Sequence, residues 1–575
     1  MAKWNDTRAL VIGTSISIGL GSFYFYACGG GDDSSSAQGQ DAGPVNDGDL
    51  LIDGGADRDG ASGGDGAAPA CLGGNCIDTL TEHGDNARTG LYGSETKLNP
   101  TNVKKDTFGL LFEMQVDGKV DAQPLYLSAV NIPGVGTRHV LYVVTEHASA
   151  YAFDAASGGQ LWKTSALGAA ETPSDTLGCG QVTPEIGITA TPVIDRARGA
   201  IYFVAMSKDA SGRYFQRLHA LDVATGAELF GGPRAVSASY PGTGANSQNG
   251  RVVFDPMRYL ERAGLLLLNG ALYTAWTSHC DQDPYTGWIM GFDATTLQQT
   301  SVLNVTPNGS RGAFWMAGAG IAADSAGAIY VISGNGTFDE ALDGNGFPAN
   351  RDFGNAFLKV STSGGLAVAD YFATLDTTSL SNADADFGSG GPAVLPDLVD
   401  ANGRERHLAV GAGKDAKIYV VDRDEMGKFS NSTNNNYQTI SGALGGGVFA
   451  KPAWFNGTLY YGAVGDRIKA FPATNARFAP APSSQTATSF TFPGATPSIS
   501  SNGNTNGIVW AVENAGTAVL HAYDASNLAR ELYNSNQAAN GSDQFGGGNK
   551  FIAAVIVNGR VYVGTPTGVA TFGLR

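Results

Sequence analysis

One recurring phrase limits what this chain can fold into. Leu141 to Trp162, LYVVTEHASAYAFDAASGGQLW, reads as a strand (141–145), a short turn, a second strand (150–153), an Ala-Ala-Ser-Gly-Gly turn opened by Asp154, and a third strand ending on Trp162. Apolar–polar alternation bounded by Gly, Ser and Asp clusters is the pattern of short antiparallel strands with tight turns. The phrase returns as IYFVA…LHALDVATGAELF (201–230), LYTAW…IMGFDATTLQQ (272–299), IYVIS…FLKVSTSG (329–364) and LAVGAGKDAKIYVVDRDEMG (408–427). It returns again as LYYGAVGDRIKAFPAT (459–474), IVWAV…LHAYDASNL (508–528) and VYVGTPTGVATFG (561–573). That makes eight units of about 45–60 residues, and strand-only units at such a period form a radial or linear array of small sheets.

An array also resolves a size problem. The chain has 575 residues, whereas a single core stops growing near roughly 250–300. Its 80 glycines follow no Gly-x-y period and fit many tight turns. A strand at 108–117, FGLLFEMQVD, precedes the first unit, while the last unit ends one strand short at Leu574. Pairing the two completes the last unit, closes the ring and removes open edges. The expected fold is therefore all-β: an eight-bladed propeller of four-stranded antiparallel blades spanning 78–575, closed by the N-terminal strand. A linear solenoid is the alternative, and it needs end caps that the sequence does not supply. The recurring Asp154, Asp222, Asp293, Asp422 and Asp524 each precede a turn and read as turn caps. Trp162, Phe230 and Leu528 read as packing between units. A formal net charge of −17 argues against nucleic acid or an anionic membrane as the main partner.

Ahead of the array, residues 1–28 place Lys3 and Arg8 before an apolar run from Ala9 to Ala27, as in an export signal. The end of the run, Phe25-Tyr26-Ala27-Cys28 before GGGDDSSS, resembles a bacterial lipoprotein signal, with Cys28 as the lipidated residue; plain secretion and a retained membrane anchor are the alternatives. Residues 29–77 form a Gly/Asp-rich linker; nine Asp and no aromatic residue within 29–70 predict a disordered tether. Cys71 and Cys76 are spaced for a small disulfide loop, and Cys179 and Cys280, far apart in sequence, read as buried thiols.

The Ala-x-Asp-x-x-(Ser/Thr)-Gly-x-x-x-Trp repeats resemble the propeller of quinoprotein (pyrroloquinoline-quinone, PQQ) alcohol dehydrogenases, an eight-bladed fold shared with non-enzymatic outer-membrane assembly lipoproteins. From Glu82, within TEHGDNARTGL, to Arg575 the chain resembles the secreted "PQQ-like" propellers of bacteria and fungi. The resemblance implies Ca²⁺ held against the quinone by a Glu and an Asn, an Asp as base, and a Lys or Arg on the quinone carbonyls. The ion polarises the carbonyl and the carboxylate takes the proton. Within FWMAGAGIAADSAGAIYVISGNGTF (314–338), Asn335 falls on the calcium-ligand Asn; within AGKDAKIYVVDR (412–423), Lys414 falls on the quinone-binding base. The calcium Glu position holds Gln282, flanked by Asp281 and Asp283, and the catalytic Asp position holds Gly354, with Asp352 two residues upstream. Cys179-Gly180 stands where the enzymes carry two adjacent cysteines, and Ile186 where they carry an Arg.

Each candidate also has a plainer reading. Asn335, in Ser-Gly-Asn-Gly, suits a left-handed turn, and Lys414 suits a solvated loop end. His279 and Asp281 are spaced either for a metal or acid–base pair or for a structural hydrogen bond. His147 occupies the matching turn of the first unit. Glu185 is costly to bury unpaired and is expected to face Lys414 or an ion, as is Asp386. No Gly-x-Ser-x-Gly elbow is present, and nothing selects a glycosidase carboxylate pair. Two functions follow as expectations. The first is an exported, monomeric PQQ-like propeller that binds a small polar molecule or an envelope protein at its channel face, without full quinoprotein catalysis or a cofactor. The second is a PQQ- and Ca²⁺-dependent alcohol or sugar dehydrogenase. It would use Asn335 with Asp281 or Asp283 on the metal, Lys414 with Glu185 and His279 around the quinone, and Asp352 as base. An envelope assembly scaffold is a third class. Expected locations are the periplasm, the outer membrane or cell surface through a lipid anchor, or the medium.

Overall fold

The computed structural model describes residues 77–514 and 516–575. The export signal, the linker up to residue 76 and the Cys71–Cys76 loop lie outside the described residues. Within them the chain is nearly all-β, and its α-helix, Thr377–Asn382, is a single short turn.

Among the described residues, eight mainly antiparallel sheets of four or five strands follow one another. The first joins Leu125–Ile132, Gly136–Val144, Ser149–Asp154 and Gln160–Ser165 in sequence order. The others occupy 171–235, 259–304, 322–373, 393–440, 453–485, 498–534 and 555–574, and each keeps the same meander in its main strands. The last sheet is completed by Phe108–Gln115, which pairs antiparallel with Gly568–Leu574 from Phe108 opposite Leu574 to Gln115 opposite Gly568.

The repeated phrase has a repeated physical cause. Asp154 Oδ1 accepts from the backbone N–H groups of Ala156 and Ser157, and Asp222, Asp293 and Asp524 cap the same turn in their own sheets. At Gly158, φ is +75° and an added Cβ would lie 2.8 Å from the Phe112 ring, so the turn requires glycine. A tyrosine in the second strand then reaches the residue after the next sheet's turn aspartate. Tyr142 donates to the Val223 carbonyl, Tyr202 to Ala294 and Tyr460 to Ala525. Tyr562 of the eighth sheet makes the same bond to Ala155 of the first, at 3.4 Å. Trp162 packs on the neighbouring sheet and donates Nε1 to the Val223 carbonyl.

The segment preceding the sheets visits all of them. Thr79 exchanges backbone hydrogen bonds with Tyr126 of the first sheet, and the Leu80 carbonyl accepts from Ile194 of the second. Asn86 Nδ2 donates to Leu267 of the third, and the Asn86 carbonyl accepts from Ala323 of the fourth. The carbonyls of Ala87, Thr89 and Gly90 accept from Val394, Trp454 and Ile499 in the fifth, sixth and seventh. Glu95 accepts from Gly559 of the eighth. Sequence order in this clasp thus matches the order of the sheets. Arg88, wholly buried, fixes it with five hydrogen bonds, to the carbonyls of Ile321, Glu82, Asp85 and Leu265 and to Thr81 Oγ1. Glu82, also buried, contacts Lys451 and accepts from the Gly320 N–H. Burial pulls the Lys451 ammonium down to about 7.

One expectation is corrected. Cys179 and Cys280 are joined in a disulfide that spans 101 residues of sequence. It ties the loop before the second sheet's Val193–Asp195 strand to the loop following Ala271–Ser278.

Candidate functional site

The clasp contacts lie beside the turns joining first to second strands. Asn335, Lys414 and Asp281 sit at the other end, just past second strands Ile329–Ile332, Leu408–Ala412 and Ala271–Ser278. Three consecutive sheets therefore deliver them to one rim. The link between the fourth and fifth sheets adds Asp384 and Asp386, immediately after the short helix. Close backbone approach makes this possible: a Cβ on Gly413 would lie 2.5 Å from the Asp386 carbonyl oxygen, and one on Gly388 would lie 2.3 Å from the Gly334 nitrogen.

Lys414 is the centre of the cluster. Its Nζ contacts Asp384 Oδ1 and pairs with Asp386 Oδ1 at 2.6 Å. Asn335 Nδ2 donates to the same Asp384 oxygen at 2.7 Å, while Asn335 Oδ1 is buried without a hydrogen-bond partner. Burial acts to lower the Lys414 ammonium, but the Asp386 and Asp384 carboxylates outweigh it and hold the pKa above its ordinary value. Burial raises the wholly enclosed Asp386, against the pull of Lys414. Asp281 accepts from the Tyr285 hydroxyl at 2.5 Å. Burial pushes its carboxyl up to about 7; Tyr285 and Lys414 oppose the shift, and Asp386 and Asp384 add to it. The Cys179–Cys280 disulfide anchors the neighbouring residue, and both Cys280 and Asp281 adopt left-handed backbone, at φ 49° and 53°. Such a conformation in residues with a side chain is held by its surroundings and often marks functional loops.

The remaining sequence candidates lie apart from this cluster. Glu185 faces neither Lys414 nor an ion site; it meets His147 at 2.8 Å on the part-exposed rim of the first two sheets. Asp283 pairs with Arg311 at 2.9 Å, half-exposed. His279 is buried against the Tyr259 backbone, its pKa lowered by burial to about 4, and it makes no pair with Asp281. Asp352 accepts from the N–H groups of Asn308 and Gly309, both at 3.0 Å; burial raises its carboxyl to about 6 against those bonds. Asp384 and Tyr285 were missed in the sequence. The one local signal was Asp384's place two residues before Asp386.

The cluster has the oxygen-rich chemistry of a hard-cation site, but not the arrangement that a calcium–quinone pair needs. Among the described residues no three His, Cys, Asp or Glu side chains converge to hold a metal ion. Gln282, at the position of the calcium Glu, turns its Nε2 to the Leu177 carbonyl. Lys414 is already held by two carboxylates. Asp281 adds a third carboxyl group near enough to interact electrostatically with Lys414, and such a concentration of carboxyl groups opposes a tricarboxylic quinone. As arranged here, the residues do not fit that pair.

This architecture is similar in fold to the quinohemoprotein alcohol dehydrogenases. The quinohemoprotein alcohol dehydrogenase of Comamonas testosteroni has the same fold at a TM-score of 0.57 and 15% identity, over 87% of this chain and 80% of that one. Quinohemoprotein alcohol dehydrogenase ADHIIG of Pseudomonas putida HK5 does so at a TM-score of 0.55, with the same identity and coverage. No family model matches the chain, and no curated protein matches it by sequence. Identity at this level carries the fold and leaves the chemistry to the site.

Proposed function

We propose that the chain is an exported, closed eight-bladed propeller that binds a small polar ligand at the rim around Lys414, without quinone catalysis. The ring reading draws support from the pairing of Phe108–Gln115 with Gly568–Leu574, the Tyr562–Ala155 bond and the clasp that visits the sheets in order. The observation that carries the binding reading is Asn335 Oδ1, a buried acceptor without a partner at the edge of a carboxyl-rich cluster. A buried acceptor left unpaired is unfavourable by about 1–3 kcal/mol, and a ligand donor relieves that. The ligand class is therefore a hydrogen-bond donor, a small amine or polyol. Calorimetric titration with a short alkyl diamine and with a sugar alcohol tests this, and Asn335→Ala is expected to weaken binding at least tenfold. Failure of both probes to bind removes the reading.

A second reading, a PQQ- and Ca²⁺-dependent dehydrogenase of alcohols or sugars, is favoured by the fold likeness and by the meeting of Asn335 and Lys414. It requires Lys414 to exchange a carboxylate for the quinone. Saturable quinone binding with Ca²⁺, together with dye reduction by an alcohol, would establish it over the first. An envelope protein partner at the same rim is the third reading, tested by pull-down from the envelope. For location, we propose lipid anchoring through Cys28. Metabolic labelling with a radioactive fatty acid is expected to mark the wild type and to be lost in Cys28→Ser.

A further inference from the structure

Below the rim, the hub holds a second group of side chains that shares no residue with the Lys414 cluster. Arg262 lies at its centre, 3% exposed. Its guanidinium carbon is 5.5 Å from the ring centres of both Trp315 and Phe551. Phe551 packs on Phe492, and Lys550 Nζ is 5.9 Å from the Phe492 ring centre. Lys119 pairs with Asp121 at 2.8 Å. Burial and the nearby Lys119 both act to lower the Lys550 ammonium, with Asp121 opposing them.

The guanidinium lacks what buried arginines ordinarily have. Among the described residues, Arg262 Nε is a buried donor without a partner, and so is Trp315 Nε1. Asp121, Glu146 and Glu261 are near enough to influence Arg262, yet none forms an ion pair with it. Burial raises the Glu146 and Glu261 carboxyls well above their ordinary range, and the adjacent Asp121 adds to the shift at Glu146. Arg262 shares this region with two further cations, Lys119 and Lys550, and Asp121, which burial raises but Lys119 and Arg262 hold below its ordinary pKa, is already paired with Lys119. A buried, unpaired charge is strongly unfavourable. A planar guanidinium with free N–H groups is also the side chain best shaped for a carboxylate or phosphate. Gly318 completes the cradle, since a Cβ there would lie 2.4 Å from an Arg262 terminal nitrogen.

We propose that Arg262, with Lys119 and Lys550 on its solvent side, is the receptor for the oxyanion group, carboxylate or phosphate, of a small molecule entering the hub. Trp315 supplies a further N–H and a flat wall beside the group. The site draws on nothing assigned to the Lys414 cluster, so either can fail without the other.

The test is calorimetric titration of the full chain, in a buffer free of other oxyanions, with inorganic phosphate and separately with succinate. Melting curves are recorded alongside. Saturable binding of either probe is expected, and the probe that binds names the source: phosphate for a phosphate-bearing ligand, succinate for an organic acid. Arg262→Met is expected to weaken that binding at least tenfold, about 1.4 kcal/mol, while melting no lower than the wild type without ligand. Arg262→Lys, which keeps the charge, is expected to restore part of the affinity and serves if the Met variant does not fold. Lys550→Gln is expected to weaken binding about threefold. Absence of binding by both probes overturns the proposal, as does unchanged affinity in Arg262→Met. Loss of phosphate or succinate binding in Lys414→Met also overturns it, because the anion would then sit at the rim. Loss of diamine binding alone in that variant keeps the two sites separate.

Discussion

Two buried arginines within one hub show how the same side chain serves opposite ends. Arg88, in the clasp, spends its donors on five hydrogen bonds to protein oxygens and lies 4.0 Å from Glu82. Arg262 lies against two aromatic rings that also pack on each other, with its Nε unpartnered. Burial lowers both guanidinium pKa values, to about 9 for Arg88, with Asp85 opposing that fall. What separates them is satisfaction, not burial. A satisfied buried charge belongs to the scaffold, and removing it exposes its partners; an unsatisfied one is available to something else.

Breaking this contrast gives the largest expected effect. Arg88→Met strands four backbone carbonyls and Thr81, and is expected to destabilise the chain by about 3–5 kcal/mol in denaturant titration. A change below about 1 kcal/mol would dissolve the distinction. Next comes the disulfide beside Asp281: Cys179→Ser with Cys280→Ser is expected to lower stability by about 2–4 kcal/mol, with diamine affinity falling as the Asp281 loop loosens.

The third effect is a pH dependence. Asp281 is raised from an ordinary 3.8 to about 7 in the folded chain. The folded state thus holds more protons than the unfolded one between those values, so stability declines as pH rises from about 4 through 7. The limiting slope is about 1.4 kcal/mol per pH unit. Asp281 keeps part of its surface open to water, so a shallower slope is expected, and Asp281→Asn should flatten it in melts at pH 4.5, 6 and 7.5. The smallest effect is the sharpest comparison. Arg262→Met should lie within about 1 kcal/mol of the wild type without ligand, the opposite of Arg88→Met.

What could be read from sequence follows the range of each interaction. Strand alternation and the aspartate-led turns are local, so the repeated sheets were legible from one phrase. The partner strand for Gly568–Leu574 was legible too, because a missing strand at one end and a surplus strand at the other leave one economical pairing. Asn335, Lys414 and Asp386 were reached through resemblance and local pattern. The Cys179–Cys280 bond was not, since spacing 101 residues apart says nothing about proximity. Glu185 was read as facing Lys414 or an ion because its own cost of burial was visible, whereas the nearby His147 was not recognised as its partner. Arg262 escaped notice altogether: lacking a partner is a property of the assembled hub and leaves no mark in the residues around it.

The pairing of Phe108–Gln115 with Gly568–Leu574 also sets a timetable. A chain made or exported from its N-terminus has Phe108–Gln115 in hand long before Gly568–Leu574 arrives, so that strand waits with a bare edge until its partner is made. The clasp waits with it, because its eighth anchor, Gly559, is made almost as late as that partner strand. A truncated copy therefore carries its own sign of incompleteness, an unpaired strand that any protease or chaperone able to grip extended backbone can detect.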